Sequence, residues 1–493
     1  MRQRSDGATV LLGMPEFVFG AQLAVGRELW LMVETTSGVV GCEGCGTRAV
    51  GHGRRRVKVR DLPMADRPVV LVWAKRLWRC PDPDCAVGTW SEEVDDIAPR
   101  AALTERARAE ICRLVGEAGR SVAQVARGFG VGWHTAMAAV RDHGRPRVDH
   151  LSRLGAPRAL GIDEHSFLSA TTEHPTLWVT GFVDLDRHRL LDVVPGRTAH
   201  GVSGWLAARP APWRAAIRAV ALDPYAGYAR GLADGLPHAE LVVDHFHAVR
   251  LANAALDEVR RRVQQETLGH RGRKADPLYR IRRQLLVAHA RLTDRGWAHI
   301  QTGLNVGDPA GEVGAAYLAK ELLREVYATR SPLQARRRLE RFYAHCRAAE
   351  VVELRRLATT VHRWEHEILG WHRTGLSNGP TEAMNLLIKK IKRVGHGFRN
   401  FENYRLRLLL HCGVEWHTPP VARIRGRQPR LVAWSHKTCG YLGLDGEHPQ
   451  RGSNPCLHLE RAAKAVQTMS DQALRALRSL LCAGVSPHLL TDC

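Results

Sequence analysis

Three apolar runs in the middle of the chain each stop at an acid: RALGID at Asp163, AIRAVALD at Asp223 and AELVVD at Asp244. Short apolar runs bounded by turn residues read as buried strands, since they are too brief for core helices. TLWVTGFVDLD (176–186) and HRLLDVVPG (188–196) form a hairpin between the first two runs, and HGVSGWLAAR and YAGYARGLADGLP read as helices. The expected order is strand, strand, strand, helix, strand, helix, strand. It predicts an α/β domain over 158–247 with its acids at strand ends.

From 248 to 370 the strand signals stop. LANAALDEVRRRVQQ and AAYLAKELLREVYA have amphipathic helical spacing, so this stretch is expected to be an all-helical insert. The segment GLSNGPTEAMNLLIKKIKRVGHGFRNFENYRLRLLL (375–410) then opens with turn residues Ser377, Asn378 and Gly379, and Pro380 suits a first helical turn. Glu382 falls in that turn. Lys389, Lys390, Lys392 and Arg393 follow on the same helix, a pattern suited to tracking a phosphate backbone.

Singly, Asp163 and Asp223 read as caps or turn residues, and Glu382 as a helix-dipole partner. Together they read as a metal-binding site. Carboxylates brought close repel unless a cation sits between them, and two hard cations held by Asp and Glu oxygens suit phosphodiester chemistry. Asp244 and His247 stand at the end of the run AELVVDHFH.

Upstream the chemistry changes. Cys42 and Cys45 in CEGC, and Cys80 and Cys85 in CPDPDC, flank a stretch that alternates basic and apolar residues. Two cysteine pairs at knuckle spacing, bridged by a β-ribbon, fit a structural Zn²⁺ site. The remaining seven of the 11 cysteines are scattered. Next, LTERARAEICRLVGEAG (103–119) has helical spacing. In SVAQVARGFGVGWHTAMAAVRDH, Ser121 is the N-cap of a short helix, Gly130 lies in a tight turn, and a second helix runs from Trp133 to Val140. This is a helix-turn-helix pattern, with Trp133, His134 and Arg141 expected nearest the DNA. Residues 142–157 read as a polar linker.

The charge supports a polyanionic partner. The chain has 493 residues and a net charge of +22, and its basic residues are 63 Arg and 9 Lys. Such a field has little use in an enzyme of neutral metabolites. Residues 431–493 hold six Lys/Arg and five Asp/Glu, so the tail is not part of the basic surface. No apolar stretch of about 18 residues is present, so no membrane span is expected. The N-terminal sequence lacks a signal-peptide pattern, and a cytoplasmic protein is expected.

LGIDEHSF, DVVPGRTA, ALDPYAGYARGL, VVDHFHAVRLAN and, above all, the long block around Glu382 resemble the insertion-sequence transposases of the ISL-three type. The resemblance covers residues 40–415. It implies a ribonuclease-H-like mixed-sheet catalytic domain interrupted by a helical insert, preceded by a zinc-binding segment and a helix-turn-helix. Carried over by position, it implies Asp163, Asp223 and Glu382 as the DDE acids. They would hold two Mg²⁺ or Mn²⁺ ions per site. Asp244 and His247 match a D-x-x-H that follows the second acid in related transposases, which implies groups beside the site that orient DNA or a ligand; the alternative is a capped strand end with a satisfied histidine.

The expected layout is a lead segment (1–38), a zinc ribbon (39–98), a helix-turn-helix (99–145), a catalytic core (158–247 and 371–415) split by the insert (248–370), and a tail (416–493) that matches nothing familiar. In the tail only QALRALRSLLCAG suggests a helix. The implied activity is binding of terminal inverted repeats, strand cleavage and strand transfer on double-stranded DNA, with a homo-oligomer holding both ends. The principal alternative is a non-catalytic DNA-binding regulator derived from a transposase. A stand-alone nuclease fits less well with the N-terminal modules.

Overall fold

The computed structural model describes residues 12–36 and 38–416. The expected late helix in the tail lies outside the described residues. Two compact units are present: one comprises residues up to 248, 330–332 and 363–416, and the other comprises 249–329 and 333–362.

The first unit opens with a five-stranded sheet of β1 (Phe17–Val25), β2 (Glu28–Thr35), β3 (Val50–Met64), β4 (Arg67–Arg79) and β5 (Thr89–Ser91). Its order is β1-β2-β4-β3, with β5 added to β4. β3 and β4 form a hairpin turned at Ala65 and Asp66, both with positive φ (48° and 59°), the backbone of a type I′ turn. The lead segment is more than a leader: β1 and β2 join this sheet, and β2 runs parallel to β4 from Leu29↔Val69 to Val33↔Trp73. Phe17, Leu31, Val69, Leu71 and Trp73 form the core of this sheet.

Three helices follow: α1 (Glu105–Gly116), α2 (Val122–Phe129) and α3 (Trp133–Asp149). Thr104 and Ser121 cap the first two with side-chain acceptors. Gly130 ends α2 in the left-handed region, where a side chain would also meet Arg60. α3 outruns the expected end at Val140 and passes through Pro146 to Asp149, so the expected linker is partly helix. Packing explains this. A Cβ on the buried Gly144 would lie 2.9 Å from the Leu410 side chain, so α3 is held close to a later helix and the local cost of Pro146 is overridden. Buried Asp61 of β3 accepts from Thr104 (2.6 Å) and from Arg106 Nε (2.8 Å), tying the first sheet to the start of α1.

The second sheet contains β6 (Ala159–Leu168), β7 (Leu177–Asp184), β8 (Arg189–Pro195), β9 (Ala219–Leu222) and β10 (Glu240–Val242), in the order β10-β9-β6-β7-β8. β6, β7 and β8 are antiparallel neighbours, whereas β9 and β10 run parallel to β6. The helices α4 (Ala199–Ala207), α5 (Ala211–Ala216) and α6 (Ala226–Gly235) connect these strands. After the second unit come α13 (Glu365–Thr374), α14 (Gly379–Val394) and α15 (Phe401–Cys412), numbered with the helices below in chain order. One continuous core joins the helix-turn-helix to this sheet, with Ile111, Phe129 and Met137 in the same cluster as Ile388, Leu409 and Leu410.

Among its described residues the second unit is helical. It contains most of α7 (His245–Leu268), then α8 (Pro277–Leu285), α9 (Asp294–Gly307), α10 (Glu312–Val326), α11 (Pro332–Ala348) and α12 (Val352–Arg363). No described helix is long and apolar enough to cross a membrane.

Candidate active site and zinc site

The register of the second sheet brings its acids together. Parallel β6 and β9 pair Ile162 with Leu222, so the next residues, Asp163 and Asp223, stand side by side. Only Asp223 directly follows its strand; the strand end expected at Asp163 is not found, because pairing with β7 (Asp163↔Gly181) carries β6 on to Leu168. Asp163, Glu164 and Asp223 each offer an oxygen within 4.8 Å of the others. Hard oxygen donors at this spacing fit a divalent cation. Burial first, and then the neighbouring Asp223 charge, push the Asp163 carboxyl up to about 6.

Glu382 is not a member of that trio. Its helix nevertheless lies against the same strand. Asp163 shares a strand face with Gly161, where an added Cβ would fall 1.9 Å from Thr381 Oγ1 of α14. Only a residue without a side chain allows this approach. Asn385, one turn beyond Glu382, donates from Nδ2 to Asp163 Oδ2 at 2.5 Å.

Two further residues tie the turn before α14 to the strand ends. Asp244 follows β10 and serves two helix starts. Its Oδ1 accepts from the backbone N–H of Phe246 (3.1 Å) and His247 (3.3 Å), and its Oδ2 accepts from Asn378 N–H (2.8 Å) and Ser377 Oγ (3.3 Å). His247 is almost fully buried, with Nδ1 in close contact with Asp223 Oδ1 and Nε2 3.1 Å from Asn378 Nδ2. A neutral imidazole accepting from Asn378 at Nε2 carries its proton on Nδ1, directed at Asp223. Asn378 is thus joined to Asp223 through a ring and to Asp244 through its backbone.

The basic residues behind Glu382 divide. Lys389, Lys390 and Arg393 are exposed, whereas Lys392 turns inward and donates from Nζ to Ser166 O at 2.7 Å. In the helix-turn-helix, Trp133 and His134 are exposed at the start of α3. Arg141 lies two turns further along, and its Nε donates to Asn403 Oδ1 (3.2 Å).

Sequence reading missed three residues here. Asn378 and Asn385 carried only turn and helix signals. Glu164 directly follows Asp163 and carried no signal of its own.

The thiols gather at the open end of the β3–β4 hairpin. Cys42 Sγ lies 3.7 Å from Cys85 Sγ, and Cys45 Sγ lies 3.5 Å from Cys80 Sγ. All four fall within 4.8 Å of one another. These separations are far too long for disulfides and close to the about 3.8 Å edge of a tetrahedron with 2.3 Å Zn–S bonds. The backbone N–H of Cys45 leads the effects that lower the Cys42 thiol to about 7, whereas burial pushes the Cys80 thiol up.

Three family profiles match. The profile described as a transposase, of the DDE ISL3 type, covers residues 160–408. A zinc finger of the IS204/IS1001/IS1096/IS1165 transposases matches 38–85, and the helix-turn-helix domain of transposase family ISL3 matches 92–144. The chain belongs to the ISL3 family of transposases.

Individual relatives agree. The transposase for insertion sequence element IS1001 of Bordetella parapertussis is 27% identical over 397 residues, covering 78% of this chain and 91% of that protein. The transposase for IS1557 of Mycobacterium tuberculosis is 27% identical over 290 residues, covering 55% of this chain and 63% of that protein. In this ISL3-family chain the zinc-finger match contains all four thiols, and the transposase match contains all the acids and Asn378. It is a DNA-binding transposase, and its DDE family implies metal-dependent catalysis.

Proposed function

We propose that this transposase binds the terminal inverted repeats of its element through the zinc ribbon and helix-turn-helix. It then cleaves DNA at the element ends and joins the freed 3′-hydroxyls to target DNA, using Asp163, Asp223 and Glu382. The side-by-side placement of Asp163, within β6, and Asp223, just after the parallel β9, carries the reading. The strand order β10-β9-β6-β7-β8, with three antiparallel and two parallel members, supports a ribonuclease-H-like core interrupted by the helical unit. The IS1001 and IS1557 relatives support the element-end substrate.

Bound Mg²⁺ or Mn²⁺, two ions per site, would activate the attacking oxygen and neutralise charge on the leaving oxygen. The chain's own part is placement. Asn385 holds Asp163 from one side, and the Glu164 backbone N–H donates to Asp163 Oδ1 at 2.8 Å from the other. His247 orients Asp223, and through Asn378 it also locates the first turn of α14, where Glu382 stands. Glu164 is a fourth carboxylate that can share a cation with Asp163 and Asp223. At the recognition helix, exposed Trp133 and His134 face the DNA, while Arg141 braces α3 against α15. Lys389, Lys390 and Arg393 follow the phosphate backbone.

Holding two ends requires self-association on DNA, and action on chromosomal DNA places the protein in the cytoplasm. Asp163→Asn and Asp223→Asn should each reduce Mg²⁺-dependent cleavage of an end-containing duplex to background, with end binding retained. Wild-type-like cleavage by either variant would remove that residue from the assignment. Wild-type protein that binds ends without cleaving them would favour a DNA-binding regulator.

A further inference from the structure

The second unit contains a feature that the transposition reading does not use. Residues 249–362 carry 22 Lys/Arg against 12 Asp/Glu, and many of the basic residues converge on one groove. α7 buries Ala252, Ala255, Leu256, Val259 and Val263 in its own core. Its other face places Arg250, Asp257, Arg260 and Arg261 along one side of an open groove of about 620 Å³. α8 supplies the facing wall with Tyr279, Arg282 and Arg283, spaced as one helical face. The loop between these helices adds Arg271. Gly272 allows that position: its φ is +122°, and a side chain there would meet Tyr279 and Gln264 within 3 Å.

Six guanidinium groups therefore line the groove with a single carboxylate. Asp257 is occupied by Arg260 (2.6 Å) and Arg261. The Arg282 guanidinium is fixed, lying 3.7 Å from the Tyr279 ring centroid and donating to Tyr279 O at 2.7 Å. Arg271 and Arg283 are exposed, with no acidic partner among the described residues. Preset planar forks with excess positive charge suit the non-bridging oxygens of phosphates. An open groove lined along two helices suits an extended polyanion better than a single small anion.

We propose that the α7–α8 groove binds the phosphodiester backbone of duplex DNA, as a contact separate from the helix-turn-helix. This rests on the reading of the chain as a transposase that handles more than one DNA segment. Each phosphate neutralised contributes about −0.9 to the slope of log K against log salt.

The test uses the full chain and two duplexes, one carrying an element end and one unrelated. Arg271→Ala with Arg283→Ala, at exposed positions, should lower the magnitude of the salt slope by about 2 on the unrelated duplex. The corresponding double Lys variant should restore it, because phosphate contact needs the charge at these two sites. An unchanged slope in the Ala variant, with wild-type DNA binding intact, would overturn the groove assignment and leave the transposase reading standing. Loss of binding to poly-L-glutamate in place of DNA would assign the groove to an acidic polypeptide and overturn it equally. Wild-type protein that bound neither duplex would overturn both.

Discussion

Among the described residues, two clusters could hold a metal ion, and they are built in opposite ways. The four thiols come from turns at the open end of one hairpin, where the β3–β4 register sets their spacing. The three carboxylates come from within β6 and from just after the parallel β9, where burial and the Asp223 charge push the Asp163 carboxyl up. The first site is expected to need its ion to hold local structure. The second is held by the surrounding fold, and its ion relieves a strain that the fold imposes. The contrast teaches that metal-ligand spacing alone does not tell whether the ion organises the chain or the chain organises the ion.

The largest expected effect tests the thiol side. Cys42→Ser with Cys80→Ser should abolish Zn²⁺ binding, worth about 10–16 kcal/mol in small zinc domains, and expose the 39–98 backbone to hydrogen exchange. Exchange over 158–247 should change little. Wild-type zinc content in the double variant would refute the ligand assignment, and simultaneous unfolding of both regions would erase the contrast.

Next in size is Asp163→Asn in buffer free of added divalent metal. Because the folded carboxyl titrates near 6 and the unfolded one near 3.8, the folded state binds the extra proton between those values, and stability falls as pH rises through the window. The penalty is absent below the unfolded value and complete above about 6, at roughly 3 kcal/mol. Asp163→Asn should therefore stabilise the metal-free protein at pH 8 and change little at pH 3.5, as read by denaturant unfolding. Destabilisation at pH 8 would show that the carboxylate is not strained there.

The smallest effect concerns placement. Gly161→Ala forces Thr381 and the start of α14 away from β6. A shift near 1 Å at such a site costs about a hundredfold in rate. The expected result is a cleavage defect of that order with end binding unchanged. Wild-type cleavage would mean that the α14 contact does not position the site.

Much of this was legible locally. Caps at Ser121, the Gly130 turn, the paired cysteines and the apolar run that stops before Asp223 are short-range signals tied to one residue's geometry. The strand end expected at Asp163 was not found, because pairing with β7 extends β6 to Leu168. Nonlocal pairing was less visible. Nothing in the lead segment announces that β2 lies parallel to β4, because that register depends on residues about forty positions away. The continuation of α3 through Pro146 follows from packing of Gly144 on Leu410, which local propensity does not register. Glu164 was passed over because the strand was expected to stop at Asp163, and the joining roles of Asn378 and Asn385 exist only once α14 reaches β6.

The central claim is that Asp163 and Asp223 act with Glu382, although Glu164 is the acid grouped with them. Mg²⁺-dependent cleavage of an end-containing duplex by Glu382→Gln and Glu164→Gln, measured side by side at equal end binding, tests it most directly. Background cleavage is expected for Glu382→Gln and retained cleavage for Glu164→Gln. Retained cleavage in Glu382→Gln with loss in Glu164→Gln would contradict it.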